Sequence, residues 1–193
     1  MRAAWSNRSN IIVEDRDMET TAVYWESKIK TYGFLIEREL SLLTIKSDTS
    51  GQTLWGDLME NPVVSGMKFN LVFGQVHESN ILTLYLALSS LSANLLLDLI
   101  KHGSVKYDKN SYRLQSPIEI LSFQGPHYGD RYGIAFTLFD TLKSSDIPLI
   151  ASCFSVSCIY LLLKGGTGDE VRDILLRNFE IPLKKLHRKD LKR

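Results

Sequence analysis

Apolar and polar residues along this chain fall into short runs separated by polar, turn-forming segments. Leu40 to Ile45 reads as a strand, followed by the turn-prone Ser47-Asp-Thr-Ser-Gly-Gln52. A helix is expected from about Gln52 to Glu60, with Leu54, Trp55, Leu58 and Met59 on one face and Asn61-Pro62 as its stop. Phe69 to Val76 and Ile81 to Leu88 read as two strands joined by a turn at His77 to Asn80. In the second, Leu82, Leu84, Leu86 and Leu88 alternate with Thr83, Tyr85 and Ala87, so one sheet face is apolar enough to be covered by helices. The next helix, about Leu91 to Lys101, carries Leu91, Leu95, Leu96, Leu99 and Ile100 as its stripe and ends at His102-Gly103. A short strand at Val105 to Tyr107 is expected to close this unit.

The same order recurs about 78 positions later. Ile118 to Phe123 is a strand, Gly125 to Gly133 a loop, and Ile134 to Lys143 a helix buried through Ile134, Leu138, Phe139 and Leu142. Ile147 to Ser155 and Cys158 to Lys164 form a hairpin with Ile159, Leu161 and Leu163 inward. Thr167 to Asn178 is the last helix. The pattern predicts an α+β fold of two tandem ferredoxin-like βαββαβ units, with antiparallel sheets covered by helices on one face. The expected divisions are an N-terminal arm (1–27), a first unit (28–113), a second unit (114–183) and a basic tail (184–193). The strand-like stretch Lys28 to Ile36 can complete either sheet. Each unit has a small core, and the sheet edges are open, so a homodimer with paired edge strands is expected.

Composition narrows the function. Among 193 residues, Lys plus Arg nearly cancels Asp plus Glu, leaving a net charge of +1 and no global field for nucleic acid or an anionic membrane. The RNA-recognition domain shares this element order, but its Lys/Arg-Gly-aromatic signature is missing from the matching strands. No run reaches membrane-spanning length and no signal peptide is read at the start, so a cytoplasmic protein is expected. Cys153 and Cys158 fit neither a zinc knuckle nor a Cys-x-x-Cys pair, and the four histidines are scattered, so neither metal nor cofactor is expected. No nucleophile elbow or acid–base pair supports an enzyme. Gly165-Gly-Thr-Gly168 lacks the P-loop ending, and Thr167-Gly-Asp-Glu170 reads as a capping box.

What remains is the loop after each first strand. Ser47, Asp48 and Gly51 in one unit, and His127, Tyr128 and Asp130 in the other, lead into a helix N-terminus, where main-chain N–H groups favour a carboxylate. Asp48 or Asp130 can take the ammonium group of the same zwitterion. Gln75 and Ser152, on the second strands, can face these loops. The other reading of all these residues is plain turn and cap chemistry.

These features together resemble the tandem ACT domains of the aspartate kinase regulatory region. The resemblance runs from about Ile29 to Leu183. It rests on Tyr32-Gly-Phe-Leu-Ile-Glu-Arg-Glu-Leu-Ser-Leu-Leu-Thr-Ile45, on Asp48 and Gly51 of an Asp-x-Pro-Gly-like loop with Ser50 in the Pro place, on Phe73-Gly-Gln75-Val76, and on Gly125 to Gly133 followed by Ile134-Ala135. The kinase half, with its Lys-Phe-Gly-Gly-Thr-Ser phosphate loop, is absent. The resemblance implies a non-catalytic regulatory piece that binds an amino-acid effector at Ser47, Asp48, Gly51, Gln75, Val76, His127, Tyr128, Asp130 and Ser152 and acts on a partner enzyme of amino-acid metabolism. The alternative is a structural dimerisation or docking module that has lost its effector.

Overall fold

The structure, a computed structural model, describes residues 27–48, 56, 59–77, 80–102, 111–126, 128–129, 131–143 and 145–182. Its centre is one antiparallel sheet. The elements in chain order are β1 (Ile29–Lys30), β2 (Gly33–Asp48), α1 (Pro62–Ser65), β3 (Phe69–Val76), β4 (Ile81–Ser89), α2 (Ser90–His102), β5 (Tyr112–Gln124), α3 (Ile134–Lys143), β6 (Leu149–Phe154), β7 (Cys158–Lys164), α4 (Gly168–Leu175) and β8 (Phe179–Glu180). Six strands pair in the order β3-β4-β2-β5-β7-β6, and β1 pairs in parallel with β8 apart from them.

Two long strands serve both repeats. The second half of β2, Leu40 to Asp48, runs beside β4, while its first half, Gly33 to Glu37, lies against the end of β5. The first half of β5 closes the sheet of the first repeat, and its second half pairs with β7. Each repeat thereby has four strands, β3-β4-β2-β5 in one and β2-β5-β7-β6 in the other. The stretch before Leu40, which the sequence leaves unassigned, packs with the second repeat: Ile29, Phe34 and Ile36 join Leu121, Phe123, Leu138, Leu161, Leu163 and Phe179 in one core.

The continuation of β2 beyond the expected Leu40–Ile45 has a local cause. Phe34 and Ile36 face the helices, but beyond a bulge the helix-facing residues are Leu43 and Ile45, so the side-chain parity changes. Glu39 sits in this bulge with φ 59°, a left-handed conformation that bulges accommodate. β5 changes parity opposite, between Leu114 and Ile118, at the cis Ser116–Pro117 bond.

All the helices packed on the sheet lie on one face. Ala93, Leu96 and Ile100 of α2 pack with Val64 of α1 on Leu43, Ile45, Leu86 and Leu88. The stripe is narrower than the periodicity suggests, because Leu91 and Leu95 are exposed. Ile134 and Leu138 of α3, with Val171 and Leu175 of α4, cover the other half, and Phe139 is left on the surface. The opposite face carries Leu40, Leu42, Ala87, Ile118, Ile120 and Leu162, ringed by Leu71 and Phe73 from one edge strand and Ile150 and Ala151 from the other. The sheet is curled around this second apolar layer.

One local reading is extended and one corrected. The helical residues 59 and 60 stop at Asn61 as expected, and Asn61-Pro62 also opens a new helical turn, since Asn61 Oδ1 accepts from Val63 N at 2.9 Å and Pro62 takes the first helical position. The Thr167–Glu170 capping box does not form. Thr167 Oγ1 donates to Lys164 O, and Gly168 N instead donates to Glu119 Oε2 of β5 at 2.7 Å. Arg38 Nε holds the other carboxylate oxygen at 3.4 Å. A buried acid at the helix start satisfies an orphan N–H and the helix dipole together, which a hydroxyl cannot match. The expected strand at Val105 to Tyr107 and most of the Gln52–Glu60 helix lie outside the described residues.

Candidate functional site

The seam between the repeats is the β2–β5 pair, and each candidate loop departs from one of its ends. At one end β2 terminates at Asp48, where Lys46 N donates to Ser111 O just before β5. At the other end β5 terminates at Gln124, whose carbonyl accepts from Tyr32 N at 2.8 Å and from Thr31 Oγ1 at 2.7 Å. Each of these strand ends is therefore flanked by the first strand of the other repeat. The two ends of β2 are at most about 50 Å apart, given about 3.3 Å per residue.

In the first set, Ser47, Leu82 and Val76 form one row across β2, β4 and β3. They share the helix-covered face with Ile45. Gln75 pairs with Thr83 in the adjacent row and points to the bare face. The structure thus places these three residues at one sheet end but divides them between its faces. Gln75 and Val76 are exposed. Asp48 is fixed by its backbone pairing with Ile81. Its side chain and Gly51 lie outside the described residues.

In the second set Tyr128 is the organised residue. Its ring meets Phe123 edge-on, with centroids 6.2 Å apart. Gly125 permits this approach: a Cβ there would lie 2.3 Å from the Tyr128 ring and 2.4 Å from Lys30 O. Gly129 packs equally closely on Val156 in the β6–β7 turn. The Tyr128 hydroxyl is fully buried and finds no hydrogen-bond partner among the described residues. Thr31 is its nearest polar influence, but the Thr31 proton is directed to Gln124 O. Burial pushes the phenol up to about 12, an effect that Thr31 and Arg131 only partly oppose. Ser152 lies within β6, paired with Leu161 on the helix-covered face, three rows from the Gln124 end. His127 and Asp130 lie outside the described residues.

The two helix starts of the second repeat differ in charge. α4 is closed by Glu119 and carries Asp169 and Glu170 in its first turn. α3, which the Gly125–Gly133 loop feeds, has no acidic residue in its first turn. The N-terminus of α3 therefore keeps its partial positive charge available for an anion. In the first repeat, Ser41 holds the position matching Glu119; its Oγ lies 3.0 Å from Ser90 Oγ and 2.9 Å from Ser116 Oγ, tying α2 to both long strands.

The residues that sequence reading missed line a cleft of about 420 Å3 at the Gln124 end, formed by Tyr32, Gly33, Phe34, Leu35, Ser122, Phe123, Gln124, Cys158 and Tyr160. It spans three strands from distant parts of the chain, so no local motif announces it. Among the described residues no group of three or more His, Cys, Asp or Glu is placed to hold a metal, and no helix is long and apolar enough to cross a membrane.

The fold these observations define is a tandem pair of ACT-like βαββαβ units sharing one sheet. Solved structures with this fold include aspartate kinases and their regulatory subunits. The regulatory subunit of aspartate kinase from Thermus flavus superposes with a TM-score of 0.63 at 9% identity, over 77% of this chain and 97% of that one. Aspartate kinase from Synechocystis gives 0.66 at 13% identity, over 80% of this chain and 28% of that one. Aspartokinase III from E. coli, in complex with lysine and aspartate, gives 0.56 at 14% identity, over 79% of this chain and 34% of that one. No family profile and no curated protein sequence matches.

Proposed function

We propose that this chain is a non-catalytic regulatory protein that binds an amino acid at the ends of its inter-repeat seam. The observation that carries the reading is that β2 and β5, the first strands of the two repeats, pair along the seam and end at its opposite ends. The N-terminus of α3, with no acidic residue in its first turn, suits the carboxylate, and the buried Tyr128 hydroxyl supplies a hydrogen-bonding group that has no partner among the described residues. Asp130, and Asp48 at the end of β2, would take the ammonium. Support also comes from the E. coli structure of the same fold, which is described as a lysine and aspartate complex. A ligand that prefers one seam arrangement shifts the population toward it and so reaches a partner enzyme.

A thermal-shift screen of the full chain against the twenty amino acids tests this. A ligand at about 100 times its dissociation constant adds about 2.7 kcal/mol of stability. Asp48→Ala or Asp130→Ala should abolish the shift without changing the assembly state. No shift with any amino acid contradicts amino-acid sensing.

One observation favours a docking module as the second reading. Tyr132, Phe136 and Phe139 on and before α3, with Phe154 and Val156 at the end of β6, form an exposed apolar surface, and the Phe139 and Phe154 rings are 5.8 Å apart. It borders β6, whose outer edge has no neighbour in the six-stranded sheet. A second copy of the chain, pairing along β6, would bury this surface and the open edge together. The two readings separate cleanly: a docking module dimerises but shows no amino-acid response.

A further inference from the structure

The cleft at the Gln124 end opens on the helix-free face of the sheet, away from the start of α3. Two register rows build it. Leu35, Ser122 and Tyr160 stand side by side in one row, and Gly33, Gln124 and Cys158 in the next. The small residues leave a low floor, with Leu35 and Tyr160 as walls on either side. Its volume of about 420 Å3 lies within the range of small-molecule sites. Ser122 is only 8% exposed, and among the described residues its hydroxyl makes no hydrogen bond. A hydroxyl so placed is satisfied by whatever occupies the cleft.

No side chain lining the cleft bears a formal charge at neutral pH. An anion entering would lose hydration without gaining a counter-charge, and the Glu37 carboxylate lies near enough to act on Tyr160. Apolar and aromatic walls with a few polar groups suit a flat, uncharged body. We propose that this cleft binds an uncharged small molecule with a planar apolar body and an amide or hydroxyl that pairs with Ser122. This site is separate from the seam-end loops, because a zwitterion needs the charges that the cleft lacks.

The test is a titration of the isotopically labelled full chain with benzamide and, separately, with benzoate, followed by amide chemical shifts. Benzamide should give saturable shifts centred on Leu35, Ser122 and Gln124, with benzoate at least about tenfold weaker. Ser122→Ala should weaken benzamide about three- to tenfold, the loss of one neutral hydrogen bond, while leaving the remaining spectrum folded. A mixture of the twenty amino acids should not displace benzamide, whether or not it shifts the loop residues. Failure of benzamide to saturate, equal binding of benzoate, an unchanged Ser122→Ala affinity, or displacement by amino acids would each overturn the proposal. So would the same shifts arising from protein concentration alone, which would make a second copy of the chain the occupant.

Discussion

Glu119 shows how much one side chain can organise here. It is buried, it accepts from the first N–H of α4, and it takes Arg38 on its other oxygen. Glu119→Ala leaves that N–H without an acceptor and should lower stability by about 1–3 kcal/mol. Gly168→Ala should act in the same direction, because its Cβ would lie 2.6 Å from Glu119 Oε2 and 2.9 Å from Ile36 Cγ2. Denaturant midpoints measure both, and unchanged midpoints would show that the cap is dispensable. Tyr128 makes a second residue-scale prediction. The native state holds its phenolic proton up to about 12, whereas an unfolded chain releases it near 10. Its contribution is fully present below about pH 10 and is lost as pH rises toward 12. Tyr128→Phe should flatten that decline and, by removing an unpaired buried hydroxyl, be neutral or mildly stabilising at pH 7. An alkaline stability profile identical to that of the parent would contradict it.

Among the elements, β2 and β5 determine the architecture, because each belongs to both cores. Leu43→Ala in one core and Leu121→Ala in the other remove side chains with no exposed surface, and each should cost about 2–5 kcal/mol. The shared strands should make both repeats unfold in one transition, so either change moves the whole curve. Two resolved transitions, with only one displaced, would contradict this coupling. These strands were also the least legible. α3 and β7 could be read with their correct ends because Gly133 precedes one and Lys164-Gly-Gly follows the other. β2 could not, since the bulge at Glu39 reverses the alternation and makes one strand look like two. The α4 cap was hidden for a related reason: its acceptor is 49 residues away, while Thr167 and Glu170 supply the right local signal and do not use it. In the candidate site, the turn at Tyr128 was visible locally, whereas Ser47 and Asp48, read as turn-prone, are the last residues of β2 because they pair with Leu82 and Ile81. The cleft around Ser122 was not visible, because it exists only once three strands are in register.

At the scale of the whole molecule, the open edge of β6 and the aromatic surface beside it point to self-association. Phe136→Asp and Phe154→Asp place charge in that surface and should weaken a dimer about thirtyfold or more, by analogy with central aromatic contacts at interfaces. Sedimentation velocity reads this directly, and a parent chain that stays monomeric across its soluble range would remove the dimer from the account. The central claim is that an amino acid settles at the seam ends. Amide hydrogen exchange of the full chain, with and without the twenty amino acids at millimolar concentration, tests it most directly. Amino-acid binding should slow exchange at residues 125–137, after β5, and at residues 46–56, across and beyond the end of β2. Exchange unchanged at both places, or slowed only elsewhere, would contradict it.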